Sequence, residues 1–342
     1  MAVTIKDVAQ RVGKSVTTVS RALHGYDDVS EETRTLVEKV AEEMGYRPNT
    51  LAQRLQKRTT DTLGLVLPTF GPRFSDPFFS EFLAGIGNKA ADFGYDLLVS
   101  TQPPGEREMH AYKQAVESRR VDGFVVVRTR MNDERINYLR GIDFPFVAFG
   151  RTHGELDFPF VDEDSQHGMR LMAQHIIQQG FHRVACIAPE PDLMFAKYRL
   201  DGFREGLAEA GGSLEDRYLK YSDLTQRGGY EKANELLAMD EPPTAIAACN
   251  DLMAFGAIRA AHEQGLAIGE EIAITGFDDI PMSEHFHPPL TTVNQPIYEI
   301  GGRVCEMLIH HIQGKPLEEE QVILKPSLVL RESTGVETEE DI

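Results

Sequence analysis

Three polar residues stand at places where a side chain can face a ligand. Asn250 follows the apolar run "TAIAAC", Asp278 follows "IAITGF", and Arg199 lies in "KYRLDGF", at the expected start of a helix. An amide, a carboxylate and a guanidinium together suit bidentate hydrogen bonding to vicinal hydroxyls. Phe78 and Phe79, in "SDPFFSEF", would lay an aromatic floor beneath them. Few polar groups over an apolar floor is the usual make-up of a small-molecule pocket. Each residue also has an ordinary reading, Asn250 or Asp278 as a helix or turn cap and the two phenylalanines as core. A second set lies in "VGKSVTTVSRALHG" (12–25), where Ser15, Thr17, Thr18 and Ser20 share one stretch of helical spacing. Hydroxyl side chains are poor interior helix formers. On an open face they can approach a duplex closely and donate to phosphates or base edges, and Arg21 has the fork that pairs with guanine O6 and N7. A solvated polar helix is the alternative.

These residues need elements to position them. Residues 4–12, "TIKDVAQRV", place Thr4 three ahead of Asp7, a capping-box-like start with Asp instead of Glu or Gln. Ile5, Val8, Ala9 and Val12 then share a face, and Gly13 ends the run. A second short helix begins near Ser15 with Val16, Val19, Ala22 and Leu23 as its apolar positions, and Gly25 closes it. Ser30 caps a third, followed by Leu36, Val37, Val40, Ala41 and Met44 at helical spacing. Three short helices with a tight glycine turn between the first two describe a helix-turn-helix head. Arg11, Lys14 and His24 are placed to add phosphate contacts. In "YRPNTLAQRLQKRTT" (46–60), Leu51, Ala52 and Leu55 share one face of a single short helix. It is below the ~12–15 residues an isolated helix needs, so something must order it.

From residue 62 onward short apolar runs alternate with amphipathic helices. The first series is "TLGLVLP", a helix near 78–93, "YDLLVS", a helix near 106–119, "GFVVV", a helix from about 132, and "FVAFG". The second, after "VDEDS", is a helix near 166–179, "RVACIAP", a helix near 197–210, "TAIAAC", a helix near 251–264, and "IAITGF". Such alternation argues for parallel doubly wound sheets. Two series suggest two similar lobes, with ligands beyond the carboxyl ends of the strands and a cleft between.

The net charge of −19 is unevenly spread. Residues 1–60 carry ten Lys or Arg against eight Asp or Glu, and the remainder 25 against 46, so only the head suits a polyanion. Cys186, Cys249 and Cys305 are too scattered for a disulfide framework or metal cluster and read as buried thiols of a reducing cytoplasm. The start lacks the segments of a secretory signal, and no apolar run is long enough to span a bilayer. Nor do the familiar catalytic patterns fit. "GIGN" (85–88) sits inside a helical pattern, "GFREG" (202–206) lacks the Lys-Ser/Thr of a phosphate loop, and no serine occupies a G-x-S-x-G elbow.

The run "TIKDVAQRVGKSVTTVSRALHG…VSEETRTLVEKVAEEMGYRPNTLAQRL" resembles the head of the lactose-repressor (LacI/GalR) family of bacterial transcription regulators. "RLDGF", "CNDLMAFGAI", "ITGFDD" and "PPLTTVNQP" look like motifs of that family's periplasmic-binding-protein-like effector domain. The resemblance implies that the second helix lies in the major groove with Val16, Thr17 and Arg21 reading bases and Ser15 nearby. Lys14 replaces the small or apolar residue usual there. It implies that two hinge helices pair in the minor groove and insert a leucine, here Leu55, as a wedge that kinks DNA. It places effector contacts on Phe78, Phe79, Arg199, Asn250 and Asp278, with Arg151 of "FGR" beyond another strand end. It also implies three chain crossings between lobes.

The expected fold is therefore an all-α helix-turn-helix head joined by a hinge helix to an α/β two-lobed periplasmic-binding-protein-like domain. Residues 1–46 form the head, 47–60 the hinge helix and linker, and 61–338 the effector-binding domain. Its first lobe takes 61–160 plus 294–320 and its second 161–290 plus 321–338, leaving 339–342 as an acidic tail. The expected DNA contacts are Thr4, Lys14, Ser15, Val16, Thr17, Thr18, Ser20, Arg21, His24, Asn49, Ala52, Leu55 and Arg58. The expected function is a cytoplasmic, nucleoid-associated transcription regulator, most simply a repressor, with no cofactor, metal or catalytic role. As a homodimer it would bind a pseudo-palindromic operator, with an affinity set by a carbohydrate effector. The end "RESTGVETEEDI" carries no leucine heptads, so a dimer rather than a tetramer is expected. A purine or phosphorylated-metabolite co-repressor is the alternative ligand. A cytoplasmic sugar-binding protein without a DNA role is the alternative of another class.

Overall fold

The computed structural model describes residues 3–23, 26–46, 59–69, 76–154 and 156–336. The chain divides into two compact units, Met1–Thr60 and Asp61–Ile342. Of the expected DNA contacts, His24, Asn49, Ala52, Leu55 and Arg58 lie outside the described residues.

In the first unit α1 (Ile5–Val12), α2 (Val16–Leu23) and α3 (Glu31–Glu43) pack around Val8, Ala9, Val19, Ala22, Val37 and Ala41. Their ends are fixed locally. The N–H and hydroxyl of Thr4 both donate to Asp7 Oδ2, at 2.8 and 2.7 Å, and hold that carboxyl below its ordinary pKa. Gly13 adopts a left-handed φ of 70° and its N–H bonds to the Ala9 carbonyl, which ends α1. Ser15 Oγ accepts the Thr18 N–H at 3.0 Å, so part of the hydroxyl content of α2 serves as its cap.

The second unit is built on two parallel sheets with the same winding. The first sheet has the order β11-β5-β4-β3-β1-β2, from β1 (Thr62–Pro68), β2 (Asp96–Gln102), β3 (Gly123–Val126), β4 (Phe146–Phe149), β5 (Phe160–Glu163) and β11 (Gln321–Leu324). The second runs β7-β6-β8-β9, from β6 (Val184–Pro189), β7 (Leu219–Ser222), β8 (Ala245–Ala248) and β9 (Ala273–Thr275). A two-stranded antiparallel ribbon, β10 (Thr292–Asn294) with β12 (Ser327–Val329), leans on the second lobe through Val293 and Leu328. In each sheet the first strand lies between the second and third, so both reverse winding direction there and open a crevice at that point.

The expected lobe boundaries need correction. β5 pairs with β4 and β11 with β5, so residues 161–163 and 321–324 belong to the first sheet rather than to the second lobe. The apolar alternation in "FVDE" and "QVIL" is too short to mark a strand, and only pairing at a sheet edge makes them one. The chain passes between lobes after β5, after β10 and after β11.

Helices cover the sheets in close pairs. α4 (Pro77–Asp92) packs on α11 (Ile297–Ile312), α7 (Ser165–Gln178) on α8 (Met194–Glu209), and α9 (Gln226–Leu237) on α10 (Asp251–Glu263). The remaining body helices are α5 (Glu106–Glu117) and α6 (Glu134–Gly141). Gly202 lets the α7 and α8 backbones touch, because a Cβ there would collide with the Gln166 carbonyl. Gly202→Ala should therefore cost about 1–3 kcal/mol through overpacking. Gly87→Ala, which meets open space on α4, should be neutral or stabilise by up to about 1 kcal/mol. Urea denaturation of both variants checks the pair, and equal midpoints would contradict the close-approach argument.

Candidate functional site

Between the carboxyl ends of the two sheets lies a pocket with an empty volume of about 560 Å³, including its open mouth. Phe78 and Phe79 come from the first turn of α4, which starts at Pro77 and is capped by Asp76. Phe79 is buried, while Phe78 stacks on Phe149 with ring centroids 5.9 Å apart, forming an aromatic wall.

Opposite stands Arg199. It sits in the second turn of α8 rather than at its start, because the helix already begins at Met194. Its guanidinium is buried and donates to Cys249 O at 2.5 Å, Glu163 Oε1 at 3.2 Å and Asp278 Oδ1 at 3.4 Å, and lies 3.6 Å above the Phe277 ring. Asn250 caps α10, its Oδ1 accepting the Met253 N–H and its Nδ2 donating to Leu224 O, both at 3.0 Å. The ordinary cap reading of Asn250 is thus true, and the same side chain still lines the pocket. Asp278 and Asp279 both carry positive φ, 116° and 55°, uncommon for non-glycine residues. Arg331 and Asn294 hold Asp279 at 2.8 and 2.9 Å, which fixes the turn that presents Asp278. Burial pushes the Asp278 carboxyl well above its ordinary range, against the pull of Arg199.

Several lining residues were not singled out in the sequence. Gln295 follows β10, donates to Asp278 Oδ1 at 2.7 Å, and its buried Oε1 has no hydrogen-bond partner among the described residues. Arg128 follows β3, pairs with Asp76 at 3.0 Å and lies over the Phe79 ring. The buried Arg135 holds that strand end by donating to the carbonyls of Val127 and Arg128 while pairing with Glu108 and Asp133, each at 2.6 Å. Asp162 and Glu163, which end β5, were legible only as a boundary; the Asp-Pro pair at 76–77 could have been read as a cap with Pro in the first turn. Arg151 does not line the pocket. Its Nε donates to Asp162 Oδ2 at 2.6 Å and its guanidinium stacks on Tyr198.

The lobes also meet through backbone. Met194 N–H donates to Thr129 O and Met131 N–H to Asp192 O, both at 2.9 Å, flanking an antiparallel bridge between Arg130 and Leu193. This short ladder and the Arg199–Glu163 pair both join one lobe to the other.

On the head, Lys14, Ser15, Val16, Thr17 and Arg21 are exposed, Thr18 and Ser20 are half-buried, and Val16 is an apolar side chain left 41% exposed. Arg21 forms a two-pronged pair with Asp28, at 2.6 and 3.1 Å, and lies over Tyr26.

Residues 4–49 match the family described as bacterial regulatory proteins, lacI family, and residues 173–334 match the periplasmic binding protein-like domain. The chain is 37% identical over 339 residues to the HTH-type transcriptional regulator AglR of Rhizobium meliloti, covering 98% of this chain and 95% of AglR. The chain belongs to the LacI family. It is also 33% identical to the HTH-type transcriptional repressor CytR of Escherichia coli, over 97% of this chain and 96% of CytR. Among solved structures, this LacI-family chain superposes on the transcriptional regulator CelR–cellobiose complex with a TM-score of 0.75 at 31% identity, over 97% and 99% of the two chains. It superposes on the lac repressor dimer bound to operator and the anti-inducer ONPF with a TM-score of 0.84 at 26% identity, over 98% and 99%.

Asp162 has a consequence for stability. Burial and the neighbouring Glu163 push its carboxyl up to about 8, with Arg151 opposing. The folded chain therefore keeps a proton that the unfolded chain releases near pH 4. The resulting stability is full below about pH 4 and is lost as pH rises through about 8. Asp162→Asn, neutral throughout, should flatten the decline of the urea midpoint between pH 5 and 8.5. An unchanged slope would show that Asp162 is ionised across that range.

Proposed function

We propose that the protein is a sequence-specific DNA-binding transcription regulator, a repressor, whose operator affinity is set by a neutral carbohydrate in the interlobe cleft. The carrying observation is the cleft itself, in which Arg199, Asn250, Asp278 and Gln295 from different elements converge on an aromatic wall. Hydroxyl groups of a sugar offer both donors and acceptors to such a set, and its C–H face suits Phe78. The guanidiniums of the wall, Arg128 and Arg199, already face carboxylates, so the lining favours a neutral ligand over a phosphorylated one. The CelR–cellobiose complex, whose protein covers nearly all of this chain, supports the same class.

The head supplies the other half. Its open face carries Val16, Thr17 and Arg21, and the family resemblance assigns these to the major groove, with Thr4, Lys14, Ser15, Thr18 and Ser20 around them. The protein acts as a homodimer on a pseudo-palindromic operator, in the cytoplasm, and is not an enzyme. Among the described residues no helix is long and apolar enough to cross a membrane. Arg21 must exchange Asp28 for a base edge. That exposed pair contributes at most about 1 kcal/mol, so the exchange is affordable against a bidentate guanine contact.

Fluorescence anisotropy of a labelled operator, selected from random DNA and titrated with and without a panel of neutral sugars, tests the reading. A sugar that changes operator affinity tenfold or more, about 1.4 kcal/mol, supports it. A response to a purine or a phosphorylated metabolite alone would leave the head and overturn the carbohydrate. In the same assay Arg21→Ala should cost about 1–3 kcal/mol and relax one base position, whereas uniform weakening across sequences would make it a phosphate contact. Asp28→Asn should tighten binding a few-fold at low salt, by about 1 kcal/mol or less.

A further inference from the structure

Helices α4, α6, α7, α9 and α10 each bring their own N-terminal cap. The side chains of Asp76, Asp133, Asp164, Thr225 and Asn250 accept a backbone N–H of the turn that follows. α8, which carries Arg199, starts differently. Its N-cap position is Leu193, whose apolar side chain has no acceptor to offer.

A helix leaves its first N–H groups without intrahelical partners, and a buried one left open costs free energy. Met194 is the first residue of α8 and is buried. Its N–H is taken by the Thr129 carbonyl at 2.9 Å, from the loop after β3 in the first lobe. The second lobe thus finds in the first an acceptor that its own sequence lacks.

That loop is held from its own side. Arg130 N–H donates to Asp133 Oδ2 at 3.0 Å and the Arg130 guanidinium to Glu108 Oε2 at 2.6 Å, while His153 N–H donates to Met131 O at 3.1 Å. Behind it the buried Arg135 grips the Val127 and Arg128 carbonyls. All of these bonds lie within the first lobe, so they hold the loop in shape whether or not the second lobe is against it.

We propose that the Thr129–Met131 and Asp192–Met194 ladder is a latch: closure of the lobes supplies the missing cap of α8, and opening uncaps the helix that carries Arg199. The inference goes beyond the carbohydrate reading and does not depend on which ligand the cleft takes.

Hydrogen exchange of the full chain, followed by mass spectrometry, tests it with Met194→Pro set against Met194→Ala. Proline lacks the N–H but suits a first helical position, and Leu193 before it already has an extended backbone, φ −77° and ψ 126°. Both variants lose the methionine side chain, so their difference isolates one hydrogen bond. Met194→Pro should speed exchange across residues 127–133, on the other lobe, about fivefold relative to Met194→Ala, because losing one rung exposes the Met131 N–H of the other. A bond that serves α8 alone would leave exchange in the first lobe the same in both variants, and the latch would be overturned. Should Met194→Pro fail to fold, Arg130→Ala takes its place. It unties the loop from Glu108, which keeps its pair with Arg135. Exchange across residues 193–197 in the second lobe should then rise about twofold or more, and unchanged exchange there would equally contradict the latch.

Discussion

The guanidinium of Arg199 is the constraint on which the cleft depends. It is carried by the second lobe and buried, and a buried charge survives only if it is paired and hydrogen-bonded. Removing one partner of such a pair typically costs about 3–5 kcal/mol. Its partners come from both lobes, Glu163 from the first sheet and Asp278 from the turn after β9, and Phe277 and Phe195 pack against its faces. A ligand that bonds Arg199 or its carboxylates must share or replace those contacts. In the proposed reading the ion pair linking the lobes is part of the ligand site, so occupancy would act on the lobe-to-lobe equilibrium.

The surroundings are consistent with that role. The turn carrying Asp278 is held at two consecutive positive φ values by Arg331 and Asn294, a conformation that persists only where neighbours over-determine it. Arg331 and Asn294 belong to the segments that thread between lobes, so the carboxylate is positioned by the crossovers themselves. The Thr129–Met131 and Asp192–Met194 ladder adds a second interlobe contact made entirely of backbone. Its strength does not depend on side-chain charge, whereas the Arg199 network does. Glycines such as Gly202 let the paired helices of each lobe pack backbone against backbone.

Much of this was legible in the sequence, for physical reasons. Caps and glycine stops are local, so the three head helices could be placed from Thr4, Gly13, Ser15 and Ser30 alone. Strand–helix alternation gave the two lobes, and residues just past apolar runs gave Asn250 and Asp278. The elements that were missed lack a local signal. β7 is only four residues, "LKYS", and α9 opens with "QRGG", whose glycines disguise a helix that tertiary packing against α10 imposes. Arg128 and Gln295 follow ordinary strands, and only the sheet order brings them to Phe79 and Asp278. Arg151 followed the same strand-end rule but was claimed by Asp162, a choice decided by a neighbouring strand far along the chain.

In the proposed mechanism ligand and operator draw on one coupling free energy. The direct measurement is the affinity of the cleft ligand for the dimer with and without saturating operator, set beside the affinity of the operator with and without saturating ligand. Linkage requires the two ratios to be equal, and the account predicts a common factor of roughly 5–150, about 1–3 kcal/mol. A ligand affinity that is the same with and without operator would contradict the account, and the cleft would then be a binding site with no hold on the head.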